Sequence, residues 1–241
     1  MINLPLFSKF IIEGGGESAG SNEVLSTSLE QARDLLTRDL LALGLTLDSI
    51  PEFDSNYNQL KKYVQHGFAS RKVMPVVSAK QVKILKDDLL KGSVDILKPF
   101  NLKYKDYTAG NADLEKADAH TKAEYQVAGK FDGDVKDDIV EASYEFVKVS
   151  KLLPVQKQIY LSKFLKNIAK FGIIDEHTKM LQKSLIVSRN YELIDGHHRW
   201  MSVMLCNPDL KVKILRIHLE TTEVLKVVKN FGISLGNQSN D

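Results

Sequence analysis

The stretch that decides the fold is Leu185-Ile186-Val187-Ser188-Arg189-Asn190-Tyr191-Glu192-Leu193-Ile194-Asp195-Gly196-His197-His198-Arg199-Trp200. Leu185 to Val187 is a short apolar run of strand length, Arg189-Asn190 supplies a turn, and Tyr191 to Ile194 is a second strand, so the two pair as a hairpin. Asp195-Gly196 ends the hairpin and opens a helix running to about Cys206. Trp200, Val203, Met204 and Leu205 form its buried side, and Cys206 is a small core residue rather than a nucleophile. Asn207-Pro208-Asp209 breaks that helix, and Lys211 to Leu219 alternates well enough to be a further strand.

Working upstream, Phe146-Val147-Lys148-Val149 reads as a short strand and Leu152-Leu153-Pro154 as a turn. Ser162 is the expected N-cap of a helix carrying Phe164, Leu165, Ile168 and Ala169, stopped by Gly172. Residues 144–220 thus form a compact mixed α/β unit, and 221–241 a C-terminal helix and tail. In the N-terminal region, Thr27 with Glu30 is a capping-box pattern ahead of the stripe Leu29, Ala32, Leu36, Leu40 and Leu43, closed by Gly44. Asn56 to Val64 is a second helix, and Ala79 to Leu90 a third, with Val82, Leu85 and Leu89 on one face and Gly92 as its stop. Residues 1–25 read as a flexible tail, 26–110 as a helical region, and 111–143 as an acidic connector. The stretch Gly110 to Asp138, poor in large apolar residues, is a long loop or loose helical segment. The fold class is α+β: a mainly helical N-terminal region followed by a compact α/β domain.

Composition bounds the function. Of 241 residues, 43% are hydrophobic and 27% charged, the balance of a globular chain, and the net charge of +2 gives no overall pull on nucleic acid. The distribution is uneven. Residues 111–144 carry nine acidic residues against four lysines, and residues 145–219 thirteen Lys and Arg against six Asp and Glu, so the second half attracts anions. The single cysteine excludes an intrachain disulfide and a Cys-rich zinc module. No apolar run approaches a membrane span, and the N-terminus lacks the pattern of a signal peptide.

Chemistry concentrates in Asp195-Gly196-His197-His198-Arg199. A helix start carries the positive end of the dipole, which favours an anion. Gly196 admits a ligand close to the backbone, His197 and His198 offer donors, and Arg199 can grip a phosphate bidentately. Asp195 beside them could cap the helix, orient a histidine, bind Mg²⁺ or accept a proton from an attacking hydroxyl. An Asp-Gly turn and a surface His pair also occur without function. Zinc is disfavoured, because adjacent histidines rarely reach one metal together. Gly14 to Ser21 lacks the Gly-Lys-Ser/Thr ending of a P-loop.

Val149-Ser150-Lys151-Leu152-Leu153-Pro154-Val155-Gln156, followed by a helix and then by Tyr191 to Trp200, resembles the ParB/sulfiredoxin-like superfamily, in particular the ParB-like domains of tailed phages. The resemblance covers about residues 145–220. It implies a nucleotide or phosphoryl group held at the Asp195 to Arg199 turn, in a superfamily of CTP-hydrolysing partition proteins, free serine kinases, sulfiredoxins and members labelled nucleases. By that resemblance Asp195 takes part in phosphoryl transfer with His197 and His198. Gly196, His197, His198 and Arg199 grip phosphate, Gln156 contacts a base or ribose or else satisfies backbone groups, and Lys151 and Lys157 support the phosphates or are ordinary solvated lysines. The implied cofactors are a nucleoside triphosphate, ATP or CTP, and Mg²⁺ at Asp195. Two departures matter: His197 stands where sulfiredoxins place their cysteine, and about 20 residues after Leu219 leave no room for the helix-turn-helix domain of chromosomal partition proteins.

At the N-terminus, Phe7 to Glu13 followed by glycines resembles the capsid-targeting peptides of T-even-like phages, which are cut after an Ile/Leu-x-Glu triplet, here after Glu13. Three functions follow as expectations. The first is a nucleotide-dependent phosphotransferase or NTPase in the cytoplasm of an infected bacterium. The second is a nuclease or non-specific DNA-binding protein using Lys157, Lys163 and Lys166. The third is a virion protein packaged through residues 1–13, with a vestigial site.

Overall fold

The computed structural model describes residues 22–92 and 139–237. It is a mixed α+β protein with seven helices among these residues. They are α1 (Glu23–Ser26), α2 (Leu29–Leu41), α3 (Phe53–Val64), α4 (Ala79–Lys91), α5 (Leu161–Phe171), α6 (His197–Cys206) and α7 (Thr221–Ser234). The strands are β1 (Ala142–Lys148), β2 (Leu153–Pro154), β3 (Leu185–Val187), β4 (Glu192–Asp195) and β5 (Lys211–Ile217). No helix among the described residues is long and apolar enough to cross a membrane.

The chain forms two compact units, one from residues 1–70, 147–182 and 196–212, the other from residues 71–146, 183–195 and 213–241. This corrects the reading of consecutive blocks. Helices 29–41 and 53–64 share a unit with residues 147–182 and 196–212 of the expected C-terminal domain rather than preceding it as a separate region. The reason is mutual burial, since neither the amphipathic N-terminal helices nor α6 can cover an apolar side alone.

In the first unit, α2 begins at Ser28, whose side chain accepts from Gln31 N–H while Gln31 reciprocates. The box lies one residue beyond the expected Thr27 and Glu30, and Ala32, Leu36 and Leu40 are buried as their spacing required. Helix α3 starts at Phe53, three residues before expected, because Phe53, Tyr57, Leu60 and Val64 make one continuous buried stripe. Asn56 on that helix donates to Leu205 O at 3.0 Å, and Tyr63 donates to Ser150 O at 2.7 Å, tying α3 to both ends of the later segment. Trp200 of α6 is fully buried, with its indole N–H on Val149 O at 3.2 Å and the Tyr63 ring 6.2 Å away.

The reading of residues 1–25 as tail is corrected at its end: Glu23–Ser26 is helical, capped by Asn22, and Val24 is fully buried. Asn22 donates to Lys157 O at 2.6 Å, and the Glu23 carboxylate faces the backbone amides of Leu161 and Ser162 at the start of α5. Tyr160, not Ser162, is the N-cap of α5, and Glu23 provides the acidic group that the helix start favours. Residues 1–21, including the expected processing site after Glu13, lie outside the described residues, as does the stretch 110–138.

In the second unit the sheet takes β1, β5, β3 and β4 in that order. Strands β3 and β4 pair antiparallel, with Ile186 opposite Asp195, and β3 pairs parallel with β5, with Ile186 opposite Leu215. The hairpin is therefore where the sequence put it. Tyr191 closes its turn at φ 63°, its hydroxyl donating to Glu145 at 3.2 Å and its ring beneath the Arg216 guanidinium at 4.3 Å. Strand β1 begins at Ala142, and Leu153–Pro154 is a short strand rather than a turn. Helix α4 occupies nearly the expected span, with Gly92 left-handed at its C-cap. Helix α7 packs closely enough on Val76 that a Cβ at Gly232 would meet Val76 O at 2.7 Å.

Candidate functional site

In the first unit, α6 starts at Gly196, which is left-handed at φ 99° and offers no side chain to cap the helix. The L side chains strongly disfavour that conformation, so glycine is required there for the turn itself. The expected ligand-gripping pair then divides by role. His197 is only 3% exposed, and its Nε2 accepts from Val155 N at 3.2 Å and Gln156 N at 3.1 Å. An imidazole nitrogen that accepts twice carries no proton. The expectation that His197 contacts phosphate or reacts is corrected on this ground: burial and two backbone donors make it a positioning residue for the 155–156 backbone.

That backbone is held from its other side as well. Phe68 N and Ala69 N donate to Val155 O at 2.9 and 2.8 Å, and Lys157 N donates to Ala69 O at 2.8 Å. Gly67 approaches so closely that a Cβ would lie 2.6 Å from Gln156 O. The Gln156 side chain is 5% exposed and donates to Gln158 O, so it braces its own loop, which leaves little of it to meet a base or ribose.

His198 is half-buried. Its ring stacks on Tyr160 with centroids 5.8 Å apart, its Nε2 accepts from Tyr160 N at 3.4 Å, and its carbonyl accepts from Ser202 Oγ at 2.8 Å. Arg199 is half-buried at the third position of the helix. Lys151, Lys157 and Lys166 are exposed, and Lys163 is half-exposed on α5. Cys206 ends α6 buried, and desolvation pushes its thiol up to about 11, so it is not a nucleophile.

In the second unit, Asp195 ends β4 with its Oδ2 3.1 Å from Lys183 Nζ, which also donates to Val77 O at 2.8 Å. The sequence reading did not single out Lys183. Its signal is topological: the hairpin folds the residues ahead of β3 back toward the end of β4. Tyr160 and Asn167, which support His198 and Ser202, were equally unmarked.

The carboxylate assigned to Mg²⁺ is thus held by an ammonium. Lys183 occupies Oδ2 of Asp195, and no group of three or more His, Cys, Asp or Glu able to hold a metal forms among the described residues.

No family model, curated protein or solved structure matches this chain.

Proposed function

We propose that the chain is a ParB-like protein that binds a nucleotide or phosphoryl group at the Gly196 to Arg199 turn and transfers or hydrolyses its terminal phosphoryl group. The observation that carries the reading is the start of α6. A left-handed glycine without a Cβ opens a ten-residue helix, with an arginine in its first turn, so the dipole, backbone and guanidinium all favour an oxyanion. His197 fixes the neighbouring backbone instead of gripping the ligand, and half-buried His198, stacked on Tyr160, stands beside it at the turn. Asp195 directly precedes the turn in sequence, and the family resemblance, rather than the geometry, assigns it the proton of the attacking hydroxyl or water as that oxygen bonds to phosphorus and the nucleoside diphosphate leaves.

Calorimetric titration with ATP, CTP and GTP in the presence of Mg²⁺ tests this. Saturable binding to at least one nucleotide, weakened about tenfold or more in Arg199→Ala, is the expected result. No heat at millimolar nucleotide, or equal affinity in the variant, rejects it.

A second reading rests on exposed Lys157 and Lys166 with half-exposed Lys163: non-specific binding or cutting of DNA. A salt dependence of DNA affinity near zero rejects that reading. With either function, the location we propose is the cytoplasm of an infected bacterium. Recovery of a peptide beginning at Gly14 from purified particles would add the virion.

A further inference from the structure

A different surface, wholly within the second unit, has the composition of a stacking platform. Phe146 on β1 is 68% exposed, and Tyr144, two residues earlier on the same face of the strand, is 37% exposed. Strand β1 ends the strand order among the described strands. The bonds His218 N to Glu141 O and Val149 N to Leu210 O, at opposite ends of the pair, make β1 and β5 antiparallel. Counting inward from either bond puts Lys213 across from Phe146. The Lys213 ammonium lies 4.3 Å from the centre of the Tyr144 ring, and Lys86 Nζ reaches over the same ring at 5.6 Å. Neither lysine has a carboxylate partner among the described residues. Asp87 is the acidic group that Tyr144 senses.

These parts have distinct uses. Tyr144 holds two ammonium groups by cation–π attraction, so their positive charge stands beside Phe146. Phe146 leaves its ring in water and forgoes the gain of burying a large apolar side chain. A flat π-face flanked by fixed cations complements a base with its phosphates. In a duplex the base faces are stacked on one another and inaccessible, so an unpaired strand is required. A second copy of this chain is a poor occupant, because a two-fold contact through Phe146 would bring like charges together.

We propose that this face of β1 and β5 binds single-stranded DNA, with a base stacked on Phe146 and adjacent phosphates neutralised by Lys213 and Lys86. It is a separate site from the α6 turn and does not rest on the nucleotide reading.

Fluorescence anisotropy with the full chain and a labelled oligothymidine strand is the test, with the same sequence as a duplex and as RNA for comparison. The expected results are single strand preferred over duplex, loss of about tenfold or more in affinity for Phe146→Ala, and a salt slope reduced by about 0.7 for Lys213→Gln. Because Phe146 is exposed, an unchanged thermal melt of Phe146→Ala shows that the variant folds. Equal affinity of Phe146→Ala and the parent chain overturns the proposal, as does a preference for duplex. Tenfold tighter binding of the RNA overturns DNA as the occupant. Self-association of the parent chain that Phe146→Ala abolishes, with no DNA binding, assigns the face to a second copy instead.

Discussion

His197 Nε2 accepts the backbone N–H of Gln156 at 3.1 Å, across 41 residues of sequence, and takes that of Val155 with the same lone pair. A buried side chain that satisfies two backbone donors is costly to remove, because each orphaned N–H retains its desolvation penalty. His197→Ala should lose about 3 kcal/mol of stability, whereas His197→Gln, which keeps an acceptor at similar reach, should lose less. Urea denaturation of the two variants checks the order. Equal losses would mean that packing of the ring, not its acceptor, is what matters.

The close approach behind this bond leads to a second expectation. Gly67→Ala would place its Cβ 2.6 Å from Gln156 O and 3.0 Å from Gln156 C, both backbone atoms with no rotamer to yield. A cost of about 1–3 kcal/mol follows from forcing the two segments apart. Gly172→Ala tests a contrasting case. At φ 77° with open space around it, it should lose stability through backbone strain alone, without the loosening of amide protection at residues 155–157 that Gly67→Ala should show in hydrogen exchange.

Cys206 should be nearly inert. Burial pushes its thiol up to about 11 from the ordinary 9.0, which lowers the thiolate fraction at neutral pH by about a hundredfold. Iodoacetamide labelling at pH 8 should be slower than that of a free thiol by at least that factor, and should recover in denaturant. Fast labelling of the folded chain would show that the end of α6 opens readily.

Glu23 carries a pH signature. Burial raises its carboxyl above the ordinary value, outweighing the Leu161 and Ser162 amides and the nearby Lys163 charge that act in the other direction. A raised acid favours folding most where it is protonated, and that contribution is lost as pH rises through its folded value. Glu23→Gln should therefore gain stability relative to the parent chain at pH 7 compared with pH 4. Denaturation curves at both pH values check the sign, and a gain at pH 4 instead would show that the carboxylate is the preferred form at the start of α5.

The sequence made local features legible where a single period or turn residue carries them. The hairpin from Leu185 to Asp195, helix α4 with its Gly92 stop, and the buried side of α6 all have short-range signals. Helix α1 was missed because four residues with one buried side chain show no period. The site was legible in its backbone and misread in its side chains. Gly196 announces the turn, but nothing local shows that His197 spends its acceptor on Val155 and Gln156 or that Lys183 returns to Asp195. Those pairings depend on which segments fold against each other, and that is set by burial summed over the chain.

The interleaving of the two units bears on how the gene can be shortened. The backbone passes between them five times, after residues 70, 146, 182, 195 and 212, so no single cut releases either one intact. A clone trimmed to residues 144–220, the span of the family resemblance, would remove Tyr63 from Trp200 and Asn56 from Leu205 while keeping the apolar faces they cover. Such a fragment is a recipe for inclusion bodies, and the working minimum for expression starts no later than Asn22.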